Sequence, residues 1–194
     1  MAKARTLGYA ISYGFVSGPA HSRGFRKLLS ELGFRQEAVK RAEVIFAHSA
    51  GCWLIPDTAQ PQLVVYVGMP LTMARPRSAW LSANVASFRK GKILANLNVR
   101  IKNSYYALSQ PRRNLGIMRN AKIGKPSTFP KAQSVFIANR NDPWPQGPVL
   151  DEFIATKPWA FISLPGTHDA IWEDPRTYTA IINHYATDLL AQTN

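Results

Sequence analysis

The sequence predicts an α/β fold: an open, mostly parallel sheet with helices on both faces, joined to a basic helical cap insertion. Three observations point there. Short continuous apolar runs recur along the chain, helical patterns lie between several of them, and one long segment departs from the rest in charge.

The apolar runs are Leu7–Ser12 (inside a buried strand expected over residues 6–13), Val44–Ala47, Leu63–Val67, Ser134–Ala138 and Trp159–Leu164. Each is rich in β-branched or aromatic residues, and short unbroken runs suit strands covered on both faces of a parallel sheet. Between the first two, residues 22–32 place Phe25, Leu28, Leu29 and Leu32 on one helical face, and Gly33 closes the helix. Gln36–Ala42 is expected to add two helical turns, and residues 50–55 to begin a helix directly after a strand. Pro175–Gln192 opens with proline in the first turn and spaces Tyr178, Ile181, Ile182, Tyr185 and Leu189 along one helical face. Strand–helix alternation of this kind makes a parallel sheet.

The charge is unevenly placed. The 194 residues carry a net charge of +13, from 24 Lys/Arg against 11 Asp/Glu. Twelve of the basic residues, and no acid, fall between Leu71 and Pro126. The break in composition marks residues 71–126 as an inserted subdomain in a single domain spanning 1–194. Within it, Ser78–Lys90 and Lys92–Ser109 read as helices split at Gly91, and Pro111 ends the second. That second helix aligns Leu94, Leu97, Ile101, Tyr105 and Leu108, a stripe expected to be buried against the sheet. The charge suits an anionic substrate or surface. Trp80, Phe88, Tyr105 and Tyr106 are expected to pack the cap, and no nucleic-acid-binding signature accompanies them.

Some classes are excluded or narrowed. No run reaches the roughly 20 apolar residues of a membrane helix, which leaves peripheral membrane contact open. The basic start, Met1–Arg5, precedes a run broken by Ser12, Tyr13 and Gly14, and so reads as a strand rather than a secretion signal. The single cysteine, Cys52, rules out an internal disulfide or a thiolate zinc cluster and fits a cytoplasmic setting. The four histidines are scattered, with no metal-binding spacing, and no glycine-rich phosphate loop is present. Neither a metal nor another cofactor is expected.

Residues 43–54, Glu-Val-Ile-Phe-Ala-His-Ser-Ala-Gly-Cys-Trp-Leu, read as strand, small-x-Ser-x-Gly, then helix. A nucleophile on a sharp turn above a sheet needs small residues two positions to either side, and Ala47 and Gly51 meet that need. A helix starting at Ala50 would aim backbone N–H groups at a developing oxyanion. Two later turns each follow an apolar run: Asn139-Arg140-Asn141-Asp142-Pro143-Trp144 and Pro165-Gly166-Thr167-His168-Asp169-Ala170-Ile171-Trp172.

In these three segments the chain resembles the α/β-hydrolase superfamily, most closely its small, compact bacterial members. The resemblance implies a triad of Ser49 as nucleophile, Asp142 as acid and His168 as base, in the superfamily's chain order. It also implies an oxyanion hole from the N–H groups of Ala50 and Phe15, with Tyr13 where relatives often carry His. His48, beside the nucleophile, is common in relatives and is expected to pack or hydrogen-bond. Asp169 and Asp174 compete with Asp142, but Asp169 adjoins the histidine in sequence and Asp174 is placed to cap the last helix. His184 belongs to that helix as a surface or packing residue. Cys52 is expected to be buried and inert.

The superfamily's N-terminal antiparallel strands are missing, and Leu32–Arg35 is a candidate vestigial strand in the shortened stretch before the serine. The function implied is hydrolysis of a small ester or related acyl compound, one that the basic block would favour if anionic. The competing reading is a catalytically silent hydrolase-fold protein whose basic block binds an anionic partner or membrane surface. No feature of the sequence encodes an oligomeric state.

Overall fold

A computed structural model of the chain describes residues 6–14, 18–69, 101–102, 104–106, 108–123, 132–142 and 159–192. Six parallel strands form one sheet: β1 (Gly8–Ser12), β2 (Arg35–Gln36), β3 (Val44–His48), β4 (Leu63–Val67), β5 (Gln133–Asn139) and β6 (Ala160–Leu164). Their order is β2-β1-β3-β4-β5-β6. The chain steps outward from β1 to β2 and then back across to β3, so the sheet changes winding direction between β1 and β3. Open sheets of this kind bind ligands beyond the carboxyl ends of the strands at such a point.

Alternate side chains along the central strands supply two cores. Tyr9, Val44, Phe46, Leu63, Val65, Val67, Val135 and Ile137 face one side. There they meet Phe25 and Leu29 of α1 (Arg23–Glu31), Ala170 and Ile171 of α3 (Ala170–Glu173), and Tyr178, Ile182 and Leu189 of α4 (Pro175–Gln192). Ala10, Ile45, Ala47, Val64, Tyr66, Phe136 and Ala138 face the other side, against Cys52, Trp53 and Ile117. Ile117 belongs to α2 (Pro111–Ile123), which packs on the turn after β3. Both faces of the sheet are thus covered, which is why its central strands are continuous apolar runs.

Several expectations need correction. The edge strand before β3 is Arg35–Gln36 rather than Leu32–Arg35, because Gly33, at φ +85°, ends α1 and turns the chain back to pair with β1. Gln36–Ala42 does not form two helical turns. The Glu37 N–H donates to the Tyr9 carbonyl at 2.7 Å, holding the chain on the sheet edge, and only a single turn around Ala38 follows. Residues 49–53 form a five-residue 3-10 turn, not an α-helix. β6 is an edge strand with alternating exposure rather than burial on both faces.

In the basic block, residues 101, 102, 104–106 and 108 are helical, and Pro111 starts α2 rather than merely ending its predecessor. Ile101, Tyr105 and Leu108 are not buried against the sheet: they are 60%, 76% and 80% exposed. Leu94, Leu97, the first expected cap helix and residues 92–100 of the second lie outside the described residues. Among the described residues no helix is long and apolar enough to cross a membrane.

Candidate active site

The candidate site is assembled from the ends of β1, β3, β4, β5 and β6. Ser49 follows β3 and adopts φ +54°, the only non-glycine residue with positive φ among those described. A left-handed conformation costs a residue with a Cβ about 1–2 kcal/mol, and a tight strand-to-helix turn that lifts a hydroxyl above the sheet demands it. Two contacts fix that turn. The Ser12 hydroxyl donates to the Gly51 carbonyl at 2.7 Å. Gly51 itself abuts β1 so closely that a Cβ there would stand 2.0 Å from the Ser12 carbonyl oxygen, so no side chain fits. Ala50 is buried directly after the serine, within the short 3-10 turn. The other proposed oxyanion donor, Phe15, lies outside the described residues.

Asp142 follows β5 and is buried, and its Oδ2 lies 2.8 Å from Nδ1 of His168, which follows β6. The two loops are laced together beneath this pair. Asn139 Nδ2 donates to the Thr167 carbonyl at 2.9 Å, and the Asn141 N–H donates to the Gly166 carbonyl at 3.0 Å. The Tyr178 hydroxyl, from α4, donates to Asn139 Oδ1. Gly68, just past β4, has φ +56° and runs under the pair; a Cβ there would lie 2.7 Å from Asp142 Oδ2 and 3.1 Å from His168 Nδ1. The backbone at 68 needs both the left-handed conformation and the missing side chain.

His48 joins the serine side of the site to the histidine side. Its Nε2 lies 3.0 Å from the His168 carbonyl oxygen. A carbonyl only accepts, so Nε2 carries the proton. Its ring packs 5.0 Å from that of His168 and 4.9 Å from Trp172. Burial, reinforced by the nearby His168, pushes His48 down to about 4, so it is a neutral, fixed donor near neutral pH. His168 behaves oppositely. Burial alone would lower its pKa, but the hydrogen bond and charge of Asp142 outweigh it and hold the imidazole above its ordinary value. The contact at Nδ1 orients the His168 ring and stabilises its charged form.

The remaining sequence candidates fall elsewhere. Asp174 Oδ1 accepts from the Thr177 backbone N–H at 3.5 Å and so caps α4, as expected, while Oδ2 accepts from the Thr177 hydroxyl at 2.7 Å. It is Asp142, not Asp169, whose carboxylate meets the His168 ring nitrogen. His184 is exposed on α4 near Asp188, and Cys52 is a buried free thiol whose pKa burial raises. Sequence reasoning missed Gly68 and the Asn139–Tyr178 brace, although a Gly just past an apolar run was the available signal for the first. It also missed Arg113, whose contacts join sites about a hundred positions apart.

No family model matches the chain, and no curated protein does. Solved structures do. A thermophilic esterase from Thermogutta terrifontis, solved with malate bound, aligns at TM-score 0.62 and 13% identity over 94% of this chain and 90% of its own. An α/β-hydrolase enzyme from a sediment metagenome of the Mar Chica lagoon aligns at 0.59 and 14%, covering 96% and 93%. A monoacylglycerol lipase from Paleococcus ferrophilus aligns at 0.57 and 14%, covering 94% of each chain. The protein therefore has the α/β-hydrolase fold.

Proposed function

We propose that the protein is a serine hydrolase acting on a small ester or related acyl compound. One observation carries the reading: a serine at positive φ ends a central strand beside His48, whose Nε2 reaches the carbonyl of His168, and His168 in turn meets the buried Asp142 at 2.8 Å. In this reading the Ser49 hydroxyl attacks the acyl carbon as His168 takes its proton. His168 returns that proton to the leaving alkoxide, and water, activated in the same way, releases the acid from the acyl-enzyme. Asp142 keeps the imidazole oriented and stabilises its charged form. The N–H of Ala50, with that of Phe15 as the second donor, would hold the oxyanion. That the similar structures include an esterase and a lipase supports acyl transfer as the reaction class. A reducing cytoplasm suits the buried free Cys52, and an anionic substrate suits the basic block at 71–126.

The test is active-site labelling of the purified protein with a fluorophosphonate. Labelling that disappears in Ser49→Ala is the expected result. No labelling of the folded wild type would reject the hydrolase and favour the silent, anion-binding alternative.

A further inference from the structure

Arg113 projects from α2, inside the basic block, and its Nη2 donates to two backbone carbonyls, those of Tyr13 and Gly14. These belong to the loop that leaves β1. Gly14 is the wall of the candidate site: a Cβ built on it would lie 2.8 Å from Ser49 Cβ and 3.1 Å from Ser49 Oγ. The guanidinium thus grips the peptides on both sides of the residue that touches the serine. It lies 5.4 Å from the centre of the Tyr106 ring, and Tyr106 in turn packs edge-on against Tyr13 at 6.4 Å. Ile117, one turn further along α2, is fully buried and anchors the helix against the sheet.

A guanidinium held partly out of water usually finds a carboxylate. The contacts of Arg113 among the described residues are instead with neutral carbonyls and an aromatic face. Its charge is directed at the shape of the loop. A trans peptide is planar, with its C=O and N–H on opposite sides. Fixing two successive carbonyls toward α2 therefore fixes which way the N–H side of each peptide faces. Arg113 supplies both bonds from Nη2 of one rigid, planar guanidinium, and charged donors make the stronger hydrogen bonds.

We propose that Arg113 is a positioning residue: from the basic insert it sets the orientation of the loop at Tyr13–Gly14, and thereby the oxyanion side of the site facing Ser49. The inference rests on the serine-hydrolase reading above. It predicts a loss confined to the chemical step for a neutral substrate, since the Nη2 donors of Arg113 are engaged by the loop carbonyls.

The experiment measures p-nitrophenyl acetate hydrolysis and the fluorophosphonate labelling rate for wild type, Arg113→Met and Arg113→Lys, with thermal melting of each. Arg113→Met keeps the length of the side chain and removes its donors. The expected result is a kcat lower by about 10- to 100-fold, in the range for a weakened oxyanion hole, with KM within about 2-fold and labelling slowed in parallel. Arg113→Lys, which keeps one charged donor, should recover part of kcat and carries the test alone if the Met variant does not fold. An unchanged kcat in folded Arg113→Met, or in Arg113→Lys where the Met variant does not fold, or a loss expressed wholly in KM, overturns the inference while leaving the hydrolase intact. A folded wild type with neither turnover nor labelling overturns the hydrolase reading, and this inference falls with it.

Discussion

The two sides of the candidate site are held by different parts of the molecule. On the side of the proposed acid and base, Asp142 and His168 sit on loops braced by Asn139, Tyr178 and His48, all on or next to the sheet and its C-terminal helix. On the side of the proposed nucleophile, Ser49 faces Gly14, and the carbonyls of Tyr13 and Gly14 are held by a residue from the basic block. One side is built into the sheet domain; the other depends on a segment of different composition. In the proposed mechanism, changes in the basic block should therefore alter the chemistry without disturbing the Asp142–His168 pair, and changes under the pair should do the reverse.

The largest expected effect removes the distinction. In the proposed mechanism Ser49→Ala and His168→Ala should each lower kcat by about 10⁴-fold or more, and the double variant should lose little beyond either one, because triad members act as a unit. Steady-state kinetics on the three purified proteins checks this, and additive losses would argue that the two sides do not work together.

A change under the acid–base side tells the two halves apart. Gly68→Ala presses a Cβ against both Asp142 Oδ2 and His168 Nδ1 and requires positive φ. Displacing one catalytic group by a fraction of an ångström should cost about 10- to 100-fold in kcat. Unlike Arg113→Met, it should also move the pH profile, because it disturbs the contact that raises the pKa of His168. The pH dependence of kcat/KM for the two variants separates them.

The smallest effect concerns the two histidines. His168 must be neutral to accept a proton, and its pKa is raised, so kcat/KM should climb with pH through an apparent pKa above about 6.5. Stability runs differently. The raised pKa of His168 contributes stability that is complete below the unfolded value and lost as pH rises through the folded one. The lowered pKa of His48 contributes stability that is complete above the unfolded value of about 6.5 and lost as pH falls toward about 4. Thermal melting from pH 4 to 9 should therefore show an acid-side slope that His48→Asn reduces, each tenfold difference in proton affinity between folded and unfolded chains being worth about 1.4 kcal/mol. An unaltered slope in that variant would show that His48 is not the group responsible.

Much of the sheet was legible in the sequence because β3, β4 and β5 are covered on both faces, and double coverage writes itself as an unbroken apolar run. β2 was not, since Arg35 and Gln36 are polar and exposed and become a strand only by pairing with Gly8 and Tyr9. The stripe Ile101–Tyr105–Leu108 misled for a related reason. Helical spacing tells which residues share a face, not that the face meets a partner. At the site, the short Asp142–His168 contact was anticipated from the resemblance of three turns, in their order along the chain, to the α/β-hydrolase superfamily. The bracing by Tyr178 and the grip of Arg113 were not, because a hydrogen bond between distant segments leaves no periodic trace.

The backbone at Ser49 carries one further consequence. Its left-handed conformation is a standing debt that only a residue without a Cβ escapes. Glycine at position 49 should therefore make a sturdier protein than the natural one, by about 1 kcal/mol, while deleting the hydroxyl. Drift toward robustness and retention of serine pull in opposite directions at this position, so a lineage that ceased to need the hydroxyl would have a ready path to lose it.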